Sequence, residues 1–161
     1  MTVVVVKTHI AAPVELCFDL ARDVDIHCQT SRSTQERIIF ATKRRLEMGD
    51  SVTFEGVHFG VRQQLSGRIV AYERPLFFAD EMTCGAFRRM RHEHRFQAEA
   101  SGTLMIDRLD FASPLGALGI VADVLFVKPH LRRFLWRRNR VLRIMAEQLA
   151  SAASSSAKHV N

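Results

Sequence analysis

The chain has 161 residues, a length that fits one domain, and its 47% hydrophobic and 25% charged residues are typical of a globular protein. No apolar run reaches the roughly 18 residues that span a bilayer, and the start lacks the basic segment and small-residue cleavage site of a signal peptide. The three cysteines have no metal-like spacing and cannot all pair, so we expect a reduced, cytoplasmic location.

The net charge is +6, and most of the excess lies in two groups of arginines, one in a predicted strand and one in a late predicted helix. Basic clusters can contact nucleic acid or an anionic membrane, but they are also common as solvated faces. No RNA-binding signature accompanies them, so we expect no nucleic acid partner. An anionic membrane or protein contact and the oligomeric state stay open. The groups are Arg88, Arg89, Arg91 and Arg95, then Arg132, Arg133, Arg137, Arg138, Arg140 and Arg143.

The first part of the chain predicts one strand followed by two short helices. Residues 3–10 are rich in β-branched side chains and indicate a strand. Residues 14–21 carry apolar side chains at helical spacing, and Asp23 can cap a second short helix over residues 24–29. The polar run 30–36 is expected to be a loop.

Six consecutive strands follow, because apolar and polar residues alternate between successive turn signals. Glycine, proline or small polar residues at 47–50, 74–75, 85 and 100–102 separate most of them. The predicted strands cover residues 36–42, 51–55, 62–72, 76–84, 89–96 and 103–111.

A long helix is predicted to complete the fold. Ser113 suits its N-cap and Pro114 its first position, and the pattern stays helical to about residue 150. Pro129 has no amide hydrogen, so we expect it to break or kink this helix. Residues 1–150 would form a single domain, with 151–161 as a frayed polar tail. The apolar stripe comprises Leu118, Val121, Ala122 and Leu125, continued by Leu131, Phe134, Leu135, Val141, Leu142 and Met145.

The predicted order is therefore strand, two helices, six strands and one helix. This indicates an α+β fold in which a curved antiparallel sheet of about seven strands wraps around a long C-terminal helix. A sheet that curls around one helix leaves a cavity, and such cavities commonly bind small apolar ligands.

The most informative chemistry lies in residues 89–96. Their charged side chains fall on one face of the strand and must face water, because an unpaired buried charge is costly. His92 and His94 therefore point inward. If Phe96 lies opposite Met105 across the turn at Gly102, His94 lies opposite Asp107, where a hydrogen bond would raise the histidine pKa. Such a pair could complete the sheet interior, orient a ligand or act in catalysis.

Asp80 is a second inward carboxylate that could hydrogen-bond His92 or cap the turn near Gly85. Two histidines and a carboxylate could hold a metal. No third histidine has a supporting spacing, and the others are scattered at His9, His27, His58, His130 and His159. We therefore expect no metal and no cofactor.

Several motifs occur in a fixed order along nearly the whole chain. They are Ile10-Ala11-Ala12-Pro13 with Phe18; Pro75 to Glu81; Gly85, Phe87, His92, His94 and Phe96; Gly102-Thr103 with Asp107; Pro114, Gly116 and Gly119; and Arg138-Asn139. Together they resemble the SRPBCC, or START-like helix-grip, superfamily, and within it the bacterial polyketide cyclase/dehydrase-like branch. Ala86 stands where that branch has proline, and Met90 where it has an aromatic residue.

The resemblance implies a helix-grip fold with a hydrophobic cavity, in a superfamily that binds sterols, lipids, polyketides and plant hormones. We therefore expect binding of a hydrophobic ligand of lipid, polyketide or aromatic type, and favour this over catalysis. One alternative is a cyclase or dehydratase in which His94 is the general base, held by Asp107, and His92 polarises a carbonyl. Another is a peripheral adaptor with a basic face. The predicted cavity residues are Phe54, Ile69, Phe78, Asp80, Met90, His92, His94, Met105, Asp107, Leu109, Leu118, Ala122 and Leu125.

Overall fold

The computed structural model describes residues 2–114 and 116–158. Its elements follow the predicted order of strand, two helices, six strands and a long C-terminal helix. They are β1 (Thr2–Ile10), α1 (Val14–Ala21), α2 (Val24–Thr30), a 3-10 turn (Arg32–Thr34), β2 (Arg37–Ala41), β3 (Ser51–His58), β4 (Val61–Glu73), β5 (Phe77–Cys84), β6 (Arg89–Glu99), β7 (Gly102–Ala112), α3 (Gly116–Ala122), a π-helical segment (Asp123–Val127) and α4 (Lys128–Lys158).

The seven strands form one antiparallel sheet in the order β1-β7-β6-β5-β4-β3-β2. Strands β2 to β7 are neighbours in sequence and in space, and β1 closes the sheet beside β7. The predicted pairing of β6 with β7 is confirmed, because Phe96 lies opposite Met105 and His94 opposite Asp107. Since side chains alternate along each strand, this register fixes which residues face the interior.

Helix α4 packs against β1 and against both short helices, and two hydrophobic clusters join these elements. The first cluster centres on Phe18 of α1, which is fully buried and makes edge-to-face contacts with Phe78 and Phe96. The second joins Leu131 and Leu135 of α4 to the inner face of β1, β6 and β7. The sheet therefore curves around the helix as the helix-grip prediction requires.

Pro129 does not end the C-terminal helix. Immediately before it, the amide of Lys128 donates to the carbonyl of Asp123, five residues earlier, so this segment is π-helical. Proline has no amide hydrogen to donate within a helix. Here it follows a π-helical turn, where the hydrogen-bonding pattern already differs from that of an α-helix, so the helix continues past it. The helix continues through Lys158, so residues 151–158 of the predicted tail extend α4, and residues 159–161 lie outside the described residues.

Ser113 does not cap the helix in the predicted way. Helix α3 begins at Gly116, and Ser113 instead donates through its amide (3.1 Å) and its hydroxyl to the carboxylate of Asp123. These hydrogen bonds tie the π-helical segment to the end of β7. Asp123 is only 2% exposed, so the connection is buried.

The predicted apolar stripe at the start of the helix faces outward, which corrects three expected cavity positions. Leu118 is 78% exposed and Leu125 is 60% exposed, while Ala122 is partly buried but does not line the cavity. In a regular α-helix, at 100° per residue, the six residues from Leu125 to Leu131 already rotate by 240°, and the π-helical segment changes this rotation further, so the two stripes do not share a face. The buried positions are instead Gly119 and Asp123.

None of the described helices is both long and apolar enough to span a membrane. Cys17, Cys28 and Cys84 are all free thiols. Burial, together with the nearby charge of Glu36, raises the pKa of Cys28 to about 11, which leaves this thiol protonated at neutral pH.

Candidate ligand-binding cavity

A cavity of about 180 Å³ lies between the inner face of the sheet, α2 and α4. Strands β3 to β7 supply most of one wall, and the first turns of α4 supply the other. Most of the lining is apolar, and two groups of histidine and carboxylate side chains are among its polar residues. The structure places these predicted residues in the lining: Phe54, Ile69, Phe78, Asp80, Met90, His92, His94 and Leu109.

Two further predicted residues lie behind the cavity wall. Met105 is 1% exposed and packs in the first hydrophobic cluster. Asp107 has no exposed surface, because the rings of His92 and His94 lie between it and the cavity. Both point to the inner face as predicted, but neighbouring side chains cover them.

Asp107 is the centre of the first polar group. Its Oδ1 lies 2.6 Å from Nδ1 of His94 and 3.2 Å from Nε2 of His92. Neither ring is aligned for a hydrogen bond to that oxygen, so the interaction is one of close charges. Asn139 of α4 donates its amide to the other oxygen of Asp107, which links the helix to the sheet.

Burial and charge set opposite protonation tendencies in this group. Burial would raise the pKa of Asp107, but the charges of His94 and His92 hold it well below its usual value. Burial would lower the pKa of His94, but the adjacent Asp107 carboxylate outweighs burial and raises it, as the sequence predicts. Burial and the charge of His94 both lower the pKa of His92. The two neighbouring imidazoles therefore have pKa shifts in opposite directions, with His94 shifted toward the charged form and His92 toward the neutral form.

Asp80 faces His94 more closely than the predicted His92. Its backbone pairs with that of His92, but its Oδ1 lies 3.6 Å from Nε2 of His94. Burial would raise the pKa of Asp80, and the histidine partner lowers it. One donor atom each from Asp80, His92 and His94 lie within 4.8 Å of one another, a spacing that a metal ion could bridge. The expectation of no metal stays a prediction.

Arg138 lines the cavity beside this group and was not predicted as a site residue. The sequence interpretation assigned it to the basic surface of the helix. It is 4% exposed, so it belongs to the interior. Its position could have been found from spacing, because Leu131, Leu135 and Leu142 are buried and residue 138 falls on the same side of the helix.

A second polar group joins histidines that appear scattered in the sequence. Nε2 of His27 lies 2.6 Å from Oε2 of Glu36, His58 lies 3.7 Å from the other oxygen, and Nδ1 of His58 lies 3.1 Å from Nε2 of His130. All four residues line the cavity. Burial would raise the pKa of Glu36, but His27 and His58 hold it well below its usual value. Burial and the charge of His58 lower the pKa of His130.

The two arginine groups have different surroundings. On the outer face of β6, Arg91 lies 2.7 Å from Glu81 and Arg95 lies 3.3 Å from Glu93, so much of that charge is neutralised. Along α4, four arginines are exposed and form no ion pair within 4 Å among the described residues. These four are Arg132, Arg133, Arg137 and Arg140.

No protein-family model and no curated protein matches the sequence. Solved structures do match the fold. Zhui aromatase/cyclase from a Streptomyces species is 15% identical with a TM-score of 0.74, and the match covers 91% of this chain and 94% of that one.

Two other solved structures have similar scores. The protein TTHA0849 from Thermus thermophilus is 16% identical with a TM-score of 0.70 and covers 88% and 97% of the two chains. Major latex-like protein 151 from Panax ginseng is 12% identical with a TM-score of 0.69 and covers 90% and 97%. At these identities the matches establish the helix-grip fold, and the chemistry of the site has to be argued from this chain.

Proposed function

We propose that this protein binds a small, mostly apolar ligand in the cavity between the sheet and α4. The observation that carries the proposal is an internal space of about 180 Å³ with a mostly apolar lining and polar groups set into it. A protein cavity of roughly 150 Å³ is enough to admit benzene. The space therefore suits a ligand with one ring, or an equivalent aliphatic body, without rearrangement of the wall.

Apolar burial would supply most of the binding energy. A ring that buries about 150 Å² gains about 4 kcal/mol at roughly 25 cal/mol per Å². His94, held by Asp107, and its neighbour His92 would fix the orientation of the ligand's polar group. One of the matched structures is an aromatase/cyclase, and this supports the proposal.

Native mass spectrometry of the protein purified from its own host tests the proposal. We expect a co-purifying molecule that is released on denaturation. Gly67 lines the cavity, and a Cβ there meets its nearest atoms at 3.5 and 3.8 Å, so Gly67→Leu can fill part of the space without a backbone clash. Val70→Leu enlarges a side chain of the same strand outside the lining and is the control. Equal ligand occupancy in both variants would contradict a site in this cavity.

A second candidate function is acid–base catalysis on the bound molecule. It is favoured by the dyad of His94 and Asp107, in which Nδ1 faces the carboxylate while Nε2 faces Asp80, a residue of the cavity wall. A co-purified ligand incubated with the protein should then lose water or change its mass spectrum. His94→Gln should abolish the change and retain binding. If neither the unmodified protein nor His94→Gln converts the ligand, and the variant only binds it more weakly, His94 would orient the ligand without acting in catalysis.

A third candidate, peripheral contact with an anionic membrane, rests on the surface around α3. Six exposed apolar side chains there precede the exposed arginines of α4 along the chain. They are Leu118, Ile120, Val121, Val124, Leu125 and Phe126. We expect co-sedimentation with phosphatidylserine vesicles that weakens steeply with salt, and that is lost in Arg132→Gln. Equal sedimentation with zwitterionic phosphatidylcholine vesicles, which carry no net charge, would remove the electrostatic part of this candidate.

A further inference from the structure

Arg138 is a buried cation without a partner. Its side chain lines the cavity and is 4% exposed, and its Nε has no hydrogen-bond partner. No hydrogen bond to its guanidinium and no carboxylate within 4 Å of it is found among the described residues. A guanidinium carries five donors, and leaving them unmatched away from water costs free energy. A residue in this state is suited to receive an acceptor from outside the chain.

The carboxylates near Arg138 already have other partners. Asp107 is contacted by His92, His94 and Asn139, and the nearest cationic side chain to Asp80 is His94, at 3.6 Å. Arg138 is close enough to lower the pKa of Asp80, yet it forms no ion pair with it. The guanidinium thus contributes positive charge to the cavity wall and forms no ion pair with the nearby carboxylates.

We propose that Arg138 receives the carboxylate of the cavity ligand, so that the protein selects a small aromatic or alicyclic acid. This inference rests on the proposed binding function and narrows its ligand class. The planar fork of an arginine matches a carboxylate with two parallel hydrogen bonds. The apolar body of the acid occupies the 180 Å³ space, lined here by Ile69, Phe78 and Leu135.

Asp80 sets a limit on how tightly such an acid binds. It lines the cavity close enough to Arg138 for the two charges to interact, and its side chain is 26% exposed. A bound carboxylate feels repulsion from Asp80 as well as attraction from Arg138. Removing the charge in Asp80→Asn should therefore strengthen the binding of an acid several-fold more than it changes the binding of an uncharged analogue.

Three probes of one ring test the inference: benzoate, its uncharged amide benzamide, and toluene. Their binding at neutral pH is followed by heteronuclear NMR titration of the full-length protein, including the Nε–H signal of Arg138. We expect benzoate to bind at least tenfold more tightly than benzamide or toluene. Arg138→Met keeps the length of the side chain and should reduce benzoate binding roughly tenfold to a hundredfold. Arg138→Lys keeps the charge without the fork and should fall between. Thermal unfolding confirms that each variant is folded.

The outcomes separate the two proposals. Equal affinity for the three probes, or an unchanged preference for benzoate in Arg138→Met, would overturn the role of Arg138 and leave ligand binding intact. Benzamide binding as tightly as benzoate would show that the acceptor is uncharged and overturn the assignment of an acid. Failure of all three probes to bind would overturn the binding of one-ring ligands itself.

Discussion

The contact between Asn139 and Asp107 connects the helix to the polar group and offers a quantitative test. Asn139 is 1% exposed and donates to an oxygen of a carboxylate that has no exposed surface. Asn139→Leu keeps a similar volume but leaves that oxygen unsatisfied. A buried hydrogen bond to an ionised group is worth about 1.5–3 kcal/mol. We expect the free energy of unfolding to fall by about 2–3 kcal/mol, and the melting temperature by roughly 5–10 °C for a chain of this size.

Urea denaturation of single and double variants measures this contribution. Thr8→Val is the matched control, because Thr8 is the other partner of the Asn139 amide, at 3.4 Å. Its cost should stay below about 1 kcal/mol, as expected for a long neutral bond. In an Asp107→Asn background, the cost of Asn139→Leu should shrink by about 1–2 kcal/mol, since the charge is gone. A cost that is the same in both backgrounds would refute the charge-assisted bond.

Three further predictions concern other parts of the molecule. The pKa of His94 is raised in the folded state, so the stability that its charged form contributes is fully present below the unfolded-state pKa of about 6.5 and is lost as pH rises through the folded-state pKa. His94→Gln should therefore lower the free energy of unfolding more at pH 6 than at pH 9. An equal cost at both pH values in urea melts would be evidence against the dyad. Gly102→Ala should cost about 3 kcal/mol or more, because φ is +142° and the new Cβ would lie 2.1 Å from a backbone oxygen, whereas Gly60→Ala, with open space around it, should cost about 1 kcal/mol in the same assay. Leu125→Ser should change stability by no more than about 0.5 kcal/mol, while Leu135→Ala should cost about 2–5 kcal/mol; calorimetry that finds similar costs would mean that Leu125 of the π-helical segment is buried.

The strand chemistry was predictable because local rules determine it. Alternation of charged and uncharged residues places His92 and His94 inward, and the short turn at Gly102 fixes the pairing of His94 with Asp107. Neither inference needs knowledge of any distant part of the chain. The same rules could not show that Asp107 is covered by the two rings, because covering depends on side-chain packing in three dimensions.

The start of the long helix could not be oriented from its pattern. Its residues are apolar on nearly all sides, so a period of 3.6 residues does not select one face. The π-helical turn before Pro129 adds a rotation that no periodicity analysis of a regular helix includes. The predicted stripe through Leu118 and Leu125 was wrong for these two reasons together.

Residues that come together only through tertiary structure were also out of reach. Glu36, His58 and His130 lie on three different elements or loops and meet at the cavity. Such groups give no local signal, since each residue alone is compatible with a solvated surface.

The attachment of α3 and the π-helical segment has a consequence for how fast the cavity exchanges its contents. This part of the chain ends at Val127 and is followed by His130 of α4, and both residues line the cavity. Most of its apolar side chains nevertheless face outward and contribute little burial energy. Asp123, through its two bonds to Ser113, ties it to the end of β7. A segment held by so few buried contacts can open at a small fraction of the free energy of global unfolding. We therefore expect the residence time of a ligand to depend on how often α3 and the π-helical segment open locally, as measured by amide hydrogen exchange. It should be independent of the melting temperature.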